Sequence, residues 1–347
     1  MKKILIIHVA GIGDLVMLLP ALKTLRDNFP DSKIDIFIGQ PMSASLLTEG
    51  ELVDKIITFD VSKSSFWQKL SFIHKLRKEK YDFSIITAGN AAGVNAFKGS
   101  VFSFLAGAKT RIGEKTEGAV NFYTEAVLID EKKHIAERNL ALLAPLGIKV
   151  LTMPFIPAQF TENLVNFADG FLKERKIEGK VLIGIFPSSA EWQKFKRWPL
   201  DYFVQLVALL SKEIPNVSFL IFGTEKEADR CQKIKNACPE KSFLALGYSI
   251  REVSALIDKC KIFVAGDTGL GHIAATTNTN LISIFGPTPI TLARPIGPKV
   301  AIVSEKCSYL YDIKNLKNYN LEKEHTCLKK ITPERVFEEI KKIMSKT

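Results

Sequence analysis

The chain writes one β-α-β pattern twice, and that repetition limits the folds open to it more than any other feature. Residues 3 to 39 read KILIIHVAGIGDLVMLLPALKTLRDNFPDSKIDIFIG, and residues 180 to 223 read KVLIGIFPSSAEWQKFKRWPLDYFVQLVALLSKEIPNVSFLIFG. Each copy opens on a lysine-led apolar strand, passes through a loop into an amphipathic helix closed by x-x-Pro, and ends in a second apolar strand and a glycine. Self-similarity of this kind marks a duplicated structural unit.

The strands are near-continuous apolar runs, as expected of parallel sheets covered by helices on both faces. In the first repeat they continue at 55–59, 83–87 and 126–128, followed by a helix at 135–146. In the second they continue at 219–222, 243–246, 262–265 and 281–285. Between the repeats, Met153-Pro154-Phe155-Ile156-Pro157 resists both helix and central strand and reads as a linker. Thr332-Pro333-Glu334 supplies an N-cap, a first-turn proline and an acid, so a last helix runs from 332 to about 345. The expected organisation is an α/β domain over 1–157, a second over 158–331, and a terminal helix in 332–347. A chain of 347 residues has room for two such domains.

Composition narrows the function classes. Hydrophobic residues make up 46% and charged residues 24%, which excludes a disordered, collagen-like or disulfide-scaffold chain. Five cysteines without a C-x-x-C pair read as free thiols in a reducing compartment. The surplus of 48 Lys and Arg over 37 Asp and Glu favours anionic partners: nucleotides, phosphorylated glycans, nucleic acid or an acidic membrane. Nucleic acid is discounted, because no zinc module, RNP-like segment or helix-turn-helix signature accompanies the charge. Lys2-Lys3 before Ile4-Leu5-Ile6-Ile7 imitates a secretory signal, but His8 and Asp14 break it, and no run of about 18 apolar residues follows. A cytoplasmic protein, soluble or peripheral on a membrane, is the expectation.

Three loops carry candidate chemistry. Gly11-Ile12-Gly13-Asp14 follows the first strand, where open α/β sheets bind ligands. Val16 stands where a dinucleotide fingerprint needs its third glycine, so what remains is the carboxylate of Asp14, either a helix cap or a catalytic group. In the second repeat, Ser188, Ser189, Lys194, Lys196 and Arg197 surround a helix start with the hydroxyls and cations a diphosphate needs, or form a solvated basic loop. The sharpest signal is Ala265-Gly266-Asp267-Thr268-Gly269-Leu270-Gly271-His272, a glycine-rich anion site at a helix start flanked by Asp267 and His272. Gly286-Pro287-Thr288 supplies a second tight loop on the same sheet edge.

These residues, taken in order, resemble glycosyltransferase family 9, the lipopolysaccharide heptosyltransferases. The resemblance runs through Gly13-Asp14 with Pro20-Ala21-Leu22, Arg111-Ile112-Gly113, His134 with Glu137-Arg138-Asn139-Leu140, Lys196-Arg197-Trp198-Pro199, Asp267-Thr268-Gly269 with His272, Gly286-Pro287-Thr288 and Thr332-Pro333-Glu334. It implies a GT-B fold, in which two Rossmann-like doubly wound domains face each other across a cleft. The N-terminal domain would bind acceptor and the C-terminal domain a nucleotide-sugar, with the terminal helix packing back towards the N-terminal domain.

The same resemblance makes Asp14 the general base and Lys196, with Ser188 and Ser189, the phosphate contacts. Thr268, Gly269 and His272 would hold the diphosphate and sugar, Asp267 the donor-side hydroxyls, Glu227 the ribose and Tyr248 the base. Gly13, His8 and Arg111 would face the acceptor. His8 stands where the family usually carries Lys or Arg. The reaction implied is inverting transfer of heptose from ADP-heptose to the lipid-linked inner core, with no obligatory metal or other cofactor. A metal set of Cys307, His325 and Cys327 lacks four-coordinate spacing. The alternatives are a family 9 transferase with another sugar or glycan, and a sugar-nucleotide-binding protein without turnover.

Residues 62 to 82 place Phe66, Trp67, Leu70, Ile73 and Leu76 at helical spacing among lysines. That pattern is either a domain helix with its stripe in the core or a face lying on an anionic membrane surface.

Overall fold

The structure, a computed structural model, describes residues 1–60, 63–88, 94–115, 121–307 and 326–345. Two compact units, Met1–Ile156 and Pro157–Thr347, divide the chain within the proline-bearing stretch.

The first unit runs β1 (Lys3–His8), α1 (Ile12–Asn28), β2 (Lys33–Ile38), α2 (Pro41–Ala44), β3 (Lys55–Thr58), α3 (Phe66–Glu79), β4 (Phe83–Ile86), α4 (Val94–Ala106), β5 (Thr110–Glu114), β6 (Glu125–Val127) and α5 (Ile135–Ala141). Its six strands are all parallel, in the order β3-β2-β1-β4-β5-β6. Alternation along β1 sends Ile4 and Ile6 to the face covered by α1 and α5, and Leu5 and Ile7 to the face covered by α3 and α4. Both sets are buried, which is why the strand reads as an unbroken apolar run.

The second unit runs α6 (Glu162–Glu174), β7 (Val181–Phe186), α7 (Leu200–Glu213), β8 (Val217–Gly223), α8 (Ala228–Lys235), β9 (Ser242–Leu246), α9 (Ile250–Asp258), β10 (Ile262–Gly266), α10 (Gly269–Thr276), β11 (Asn280–Phe285), α11 (Ile290–Ala293), β12 (Val300–Ser304), α12 (Thr326–Lys329) and α13 (Pro333–Met344). Its strand order, β9-β8-β7-β10-β11-β12, repeats that of the first unit strand for strand, again all parallel. The chain is thus an α/β protein of two doubly wound sheets, and the echo in the sequence is a repeated topology.

The expected strands fall within a residue or two of those observed. β5 and β12 are additions to the expected strands: β5 (TRIGE) lacks the apolar run that marks most of the others, whereas the run Val300-Ala301-Ile302-Val303 of β12 went unread. The helix expected at 135–146 stops at Ala141, and a separate 3-10 turn at Ala144–Leu146 contains Pro145. The expected terminal helix forms as α13, Pro333–Met344. Its apolar stripe, Val336, Phe337 and Ile340, lies in the core of the second unit with Phe203, Leu210 and Ile284. A stripe on a strongly amphipathic helix goes to the nearest apolar surface, and here α7 and β11 of its own unit provide it. Trp198 fixes the approach: its indole is buried and Nε1 donates to the Ile331 carbonyl at 2.8 Å.

Candidate active site

Open parallel sheets bind ligands beyond the carboxyl ends of their strands, where the strand order reverses. In the first unit the reversal lies between β1 and β4, and in the second between β7 and β10. The loops that follow β1, β7 and β10 hold Asp14, the 188–197 residues and the 267–272 residues respectively.

In the first unit, Gly11 occupies the N-cap of α1 in extended geometry, without a side-chain cap, and Asp14 lies in the first helical turn. The cap and the carboxylate are therefore different residues, although a carboxylate in this turn also complements the helix dipole. A methyl group at Gly11 would sit 4.0 Å from Asp14 Oδ2, so the bare glycine backbone and the carboxylate border one space. Gly13 shares this turn and is half-buried.

The side chains of two acceptor-side candidates are engaged within the first unit. His8 is fully buried, and its Nδ1 lies 3.1 Å from Thr87 Oγ1, tying the end of β1 to the end of β4. Burial lowers its pKa to about 4, against an opposing pull from the Gly11 backbone. A neutral, enclosed imidazole supplies no charge to an anionic acceptor. Arg111 sits near the amino end of β5, paired with Ser84, away from the carboxyl edge. Its Nε donates to the Phe122 carbonyl at 2.7 Å and its Nη1 to that of Ala108 at 3.1 Å, with the guanidinium over the Phe104 ring. It locks a loop to the strand.

The 134–140 motif is likewise structural. His134 caps α5 by accepting from Ala136 N at 3.2 Å, and Arg138 grips Glu114 through Nη2 contacts of 2.7 and 2.6 Å. Asn139 Oδ1 accepts from Ala88 N at 2.8 Å, so α5 holds the segment that leaves β4.

In the second unit, Lys196 Nζ lies 2.7 Å from Asp267 Oδ2, with both side chains almost enclosed. Burial pushes the Asp267 carboxyl up, but the Lys196 charge and hydrogen bond, the His272 charge and the neighbouring Thr288 hydroxyl outweigh it. The group is held below the usual carboxylate range. Thr268 caps α10, its Oγ1 accepting from Gly271 N at 3.3 Å, so Gly269 opens a helix whose first amides face the carboxyl edge. His272 is buried one turn on.

Ser188 and Ser189 are both buried, yet they differ. Ser189 Oγ donates to Gln193 O at 2.9 Å and accepts from Arg197 Nε at 3.2 Å, whereas Ser188 Oγ has no partner among the described residues. Glu227 Oε2 accepts from Thr224 N and Thr224 Oγ1, at 2.8 and 3.0 Å, which pins the carboxylate at the end of β8. Tyr248 packs edge-on against Phe167 and Phe171 of α6, centroids 5.3 and 5.7 Å apart, beyond the edge strand β9. The structure thus brings Ser188, Ser189, Lys196, Asp267, Thr268, Gly269 and His272 to adjoining loops, with Glu227 one strand away and Tyr248 two.

Two residues join this set: Thr288, which the sequence placed only in a second tight loop, and Arg230, which the sequence reading passed over. Thr288, in the loop after β11, places its buried hydroxyl in the surroundings of the Asp267 carboxylate. Arg230 Nη2 donates to the Pro187 carbonyl at 3.2 Å, while Arg197 Nη2 donates to that of Ser189 at 2.8 Å, so two guanidiniums converge on one loop. Burial and the neighbouring Arg197 charge lower the Arg230 pKa. Its spacing of three from Glu227 at the start of α8 was the available signal. Among the described residues, no group of three or more His, Cys, Asp or Glu is placed to hold a metal ion. His325 lies outside the described residues, so the Cys307-His325-Cys327 set is not described.

The profile of glycosyltransferase family 9 (heptosyltransferase) matches residues 69–322. Lipopolysaccharide heptosyltransferase 2 of Salmonella typhimurium is 26% identical over 360 residues, covering 99% of each chain. Lipopolysaccharide heptosyltransferase 3 of Escherichia coli K12 is 27% identical over 303 residues, covering 82% of each. The solved structure of E. coli ADP-heptose lipopolysaccharide heptosyltransferase II superposes with a TM-score of 0.79 at 23% identity, over 99% of both chains. The family 9 glycosyltransferase of Veillonella parvula gives 0.80 at 19%, over 100% of this chain and 98% of that one. The fold is therefore of the GT-B type. A profile match over most of the chain makes the assignment direct: this protein is a glycosyltransferase and belongs to glycosyltransferase family 9, the heptosyltransferases.

Proposed function

We propose that the protein transfers heptose from ADP-heptose to the inner core of lipopolysaccharide, with inversion at the anomeric carbon. The observation that carries the reading is the enclosed Lys196–Asp267 pair at the switch point between β7 and β10, beside the amino end of α10. An ammonium and exposed helix amides at that position suit a diphosphate leaving group. The full-length relatives named lipopolysaccharide heptosyltransferase 2 support the choice of sugar and acceptor.

In this reading Asp14 takes the proton of the acceptor hydroxyl as its oxygen bonds the anomeric carbon and the bond to the diphosphate breaks. A carboxylate is a weak base near neutral pH, so it acts late, as oxocarbenium character develops. Lys196, Ser188, Ser189 and the Thr268–Gly269 amides stabilise the departing diphosphate, and the orphaned Ser188 hydroxyl gains a partner there. Asp267 and His272 orient the sugar, Glu227 holds the ribose and Tyr248 borders the base. Because cations and helix amides carry the diphosphate charge, no obligatory metal is proposed. The acceptor is lipid-linked and the reaction is placed at the cytoplasmic face of the inner membrane. No described helix is long and apolar enough to cross a membrane.

The test is mass spectrometry of a heptose-free lipid A core incubated with the protein and ADP-heptose. A heptose-sized mass gain is expected, and Asp14→Asn should lower its rate by about 10²- to 10⁴-fold while donor affinity is unchanged. No gain with reagents that a known transferase converts would move the assignment to another sugar or glycan. Donor binding without turnover on any acceptor would make the chain a binder only.

A further inference from the structure

The outer face of the α3–α4 layer is apolar where a solvated face would be polar. The apolar residues of α3 divide between two directions. Leu76 is 3% exposed and Phe72 stacks on Phe59 at 4.2 Å, whereas Phe66, Trp67 and Leu70 are 67%, 76% and 46% exposed. The apolar residues of this helix therefore face both ways, one group into the core and the other to the surface. On α4, Phe97, Phe104 and Leu105 are also exposed, and exposed Phe122 lies 5.3 Å from the Phe104 ring. Of the seven exposed Phe and Trp side chains among the described residues, five belong to this layer, which makes it a patch rather than scatter.

Charge is one-sided on the same layer. Lys75, Arg77, Lys78, Lys80 and Lys98 are exposed. The one acid of α3, Glu79, is drawn away by Lys33 at 3.0 Å and Lys3 at 3.7 Å, and α4 contains no acid. Because β1, β3 and β4 are parallel, α3 and α4 begin at the same carboxyl edge of the sheet as α1 and Asp14.

We propose that this face docks on an anionic lipid bilayer. Phe66, Trp67 and Leu70 enter the headgroup region, and the lysines of α3 and α4 meet lipid phosphates. Amphipathic aromatic rings among unopposed cations are what the membrane–water boundary holds best, since neither the apolar burial nor the charge attraction alone gives firm attachment. The proposal deepens the reading of a lipid-linked acceptor by naming the surface that meets the lipid. It is tested on vesicles that contain no acceptor, so its failure is separate from failure of the transferase assignment.

The experiment is co-sedimentation of the full chain with vesicles of phosphatidylglycerol and phosphatidylethanolamine, and with phosphatidylcholine alone. Binding is expected to the anionic vesicles, reversed by salt, with partition falling by about tenfold or more for Phe66→Ser with Trp67→Ser and for Lys75→Gln with Lys78→Gln. Trp67→Phe should keep the binding and remove the vesicle-induced blue shift of tryptophan emission. Circular dichroism checks that each variant is folded, and transfer to a delipidated core saccharide should be unchanged. Equal partition of wild type and folded variants, or equal binding to neutral vesicles, would overturn the proposal. So would a protein that ignores vesicles and forms a dimer that Phe66→Ser with Trp67→Ser splits, since the face would then serve a second copy.

Discussion

Lys196 and Asp267 stabilise each other and are also assigned to the donor, and substitution separates the two roles. Lys196→Met leaves a carboxylate enclosed without its counter-charge, a change that costs about 3–5 kcal/mol. Replacing both partners, Lys196→Met with Asp267→Leu, should recover most of that loss in urea unfolding. Transfer should stay abolished, because the apolar pair contacts no phosphate. Recovered activity in the double variant would make the pair structural only. His8 gives a pH prediction. Its pKa of about 4 lies below the unfolded value near 6.5, so the unfolded chain takes up a proton first as pH falls. Stability should be level above about pH 6.5 and fall by about 3 kcal/mol towards pH 4. Asp267, held low, adds its own loss only at more acidic pH, as pH falls through its depressed pKa. His8→Asn should flatten the step between pH 6.5 and 4 in urea titrations, and an unchanged step would place the titration elsewhere. At this scale the sequence showed which residue types were present but not where their side chains were committed. Arg111 is expected to face the acceptor and Arg138 is only part of a motif, yet backbone carbonyls hold the first and Glu114 the second.

Elements were more legible than residues, because the two-sided burial of a parallel strand writes an unbroken apolar run and helix starts write caps. Thr268 and Thr332 cap where the chain places them, with Oγ1 accepting from Gly271 N and Arg335 N. What the pattern could not give was the partner of each face. The stripe of α13 and the split face of α3 both have helical periodicity, and only tertiary packing separates a core stripe from an exposed one. The placement of α10 shows how an element transmits to the site. A Cβ at Gly297 would lie 2.1 Å from the carbonyl oxygen of Ala275, a backbone atom within α10 that has no side-chain freedom to yield. Gly297→Ala should therefore displace the helix, costing about 1–3 kcal/mol in thermal or urea unfolding. Because the amino end of α10 is assigned to the diphosphate, ADP-heptose affinity should fall with it in calorimetric titration. Weakened folding with an unchanged dissociation constant would uncouple α10 from the donor.

At the scale of the whole chain, the duplication has an energetic counterpart. Among the described residues, the apolar clusters around β1 draw on the first 156 positions and the cluster around β7 on the remainder. A unit with its own six-stranded sheet, covered faces and closed core has what independent folding requires. A fragment of residues 157–347 should therefore unfold cooperatively and bind ADP-heptose within a few-fold of the full chain, yet transfer nothing, since Asp14 is absent. The terminal helix makes the prediction sharper. Val336, Phe337 and Ile340 fill the second core, and Trp198 Nε1 reaches the Ile331 carbonyl. A fragment ending at residue 331 should lose three buried apolar side chains at once, at about 1.5–3 kcal/mol each, and with them its cooperative transition. If the shorter fragment unfolded like the longer one, the helix would be dispensable to the second core. If the longer fragment failed to fold, the two sheets would depend on each other in spite of their separate cores.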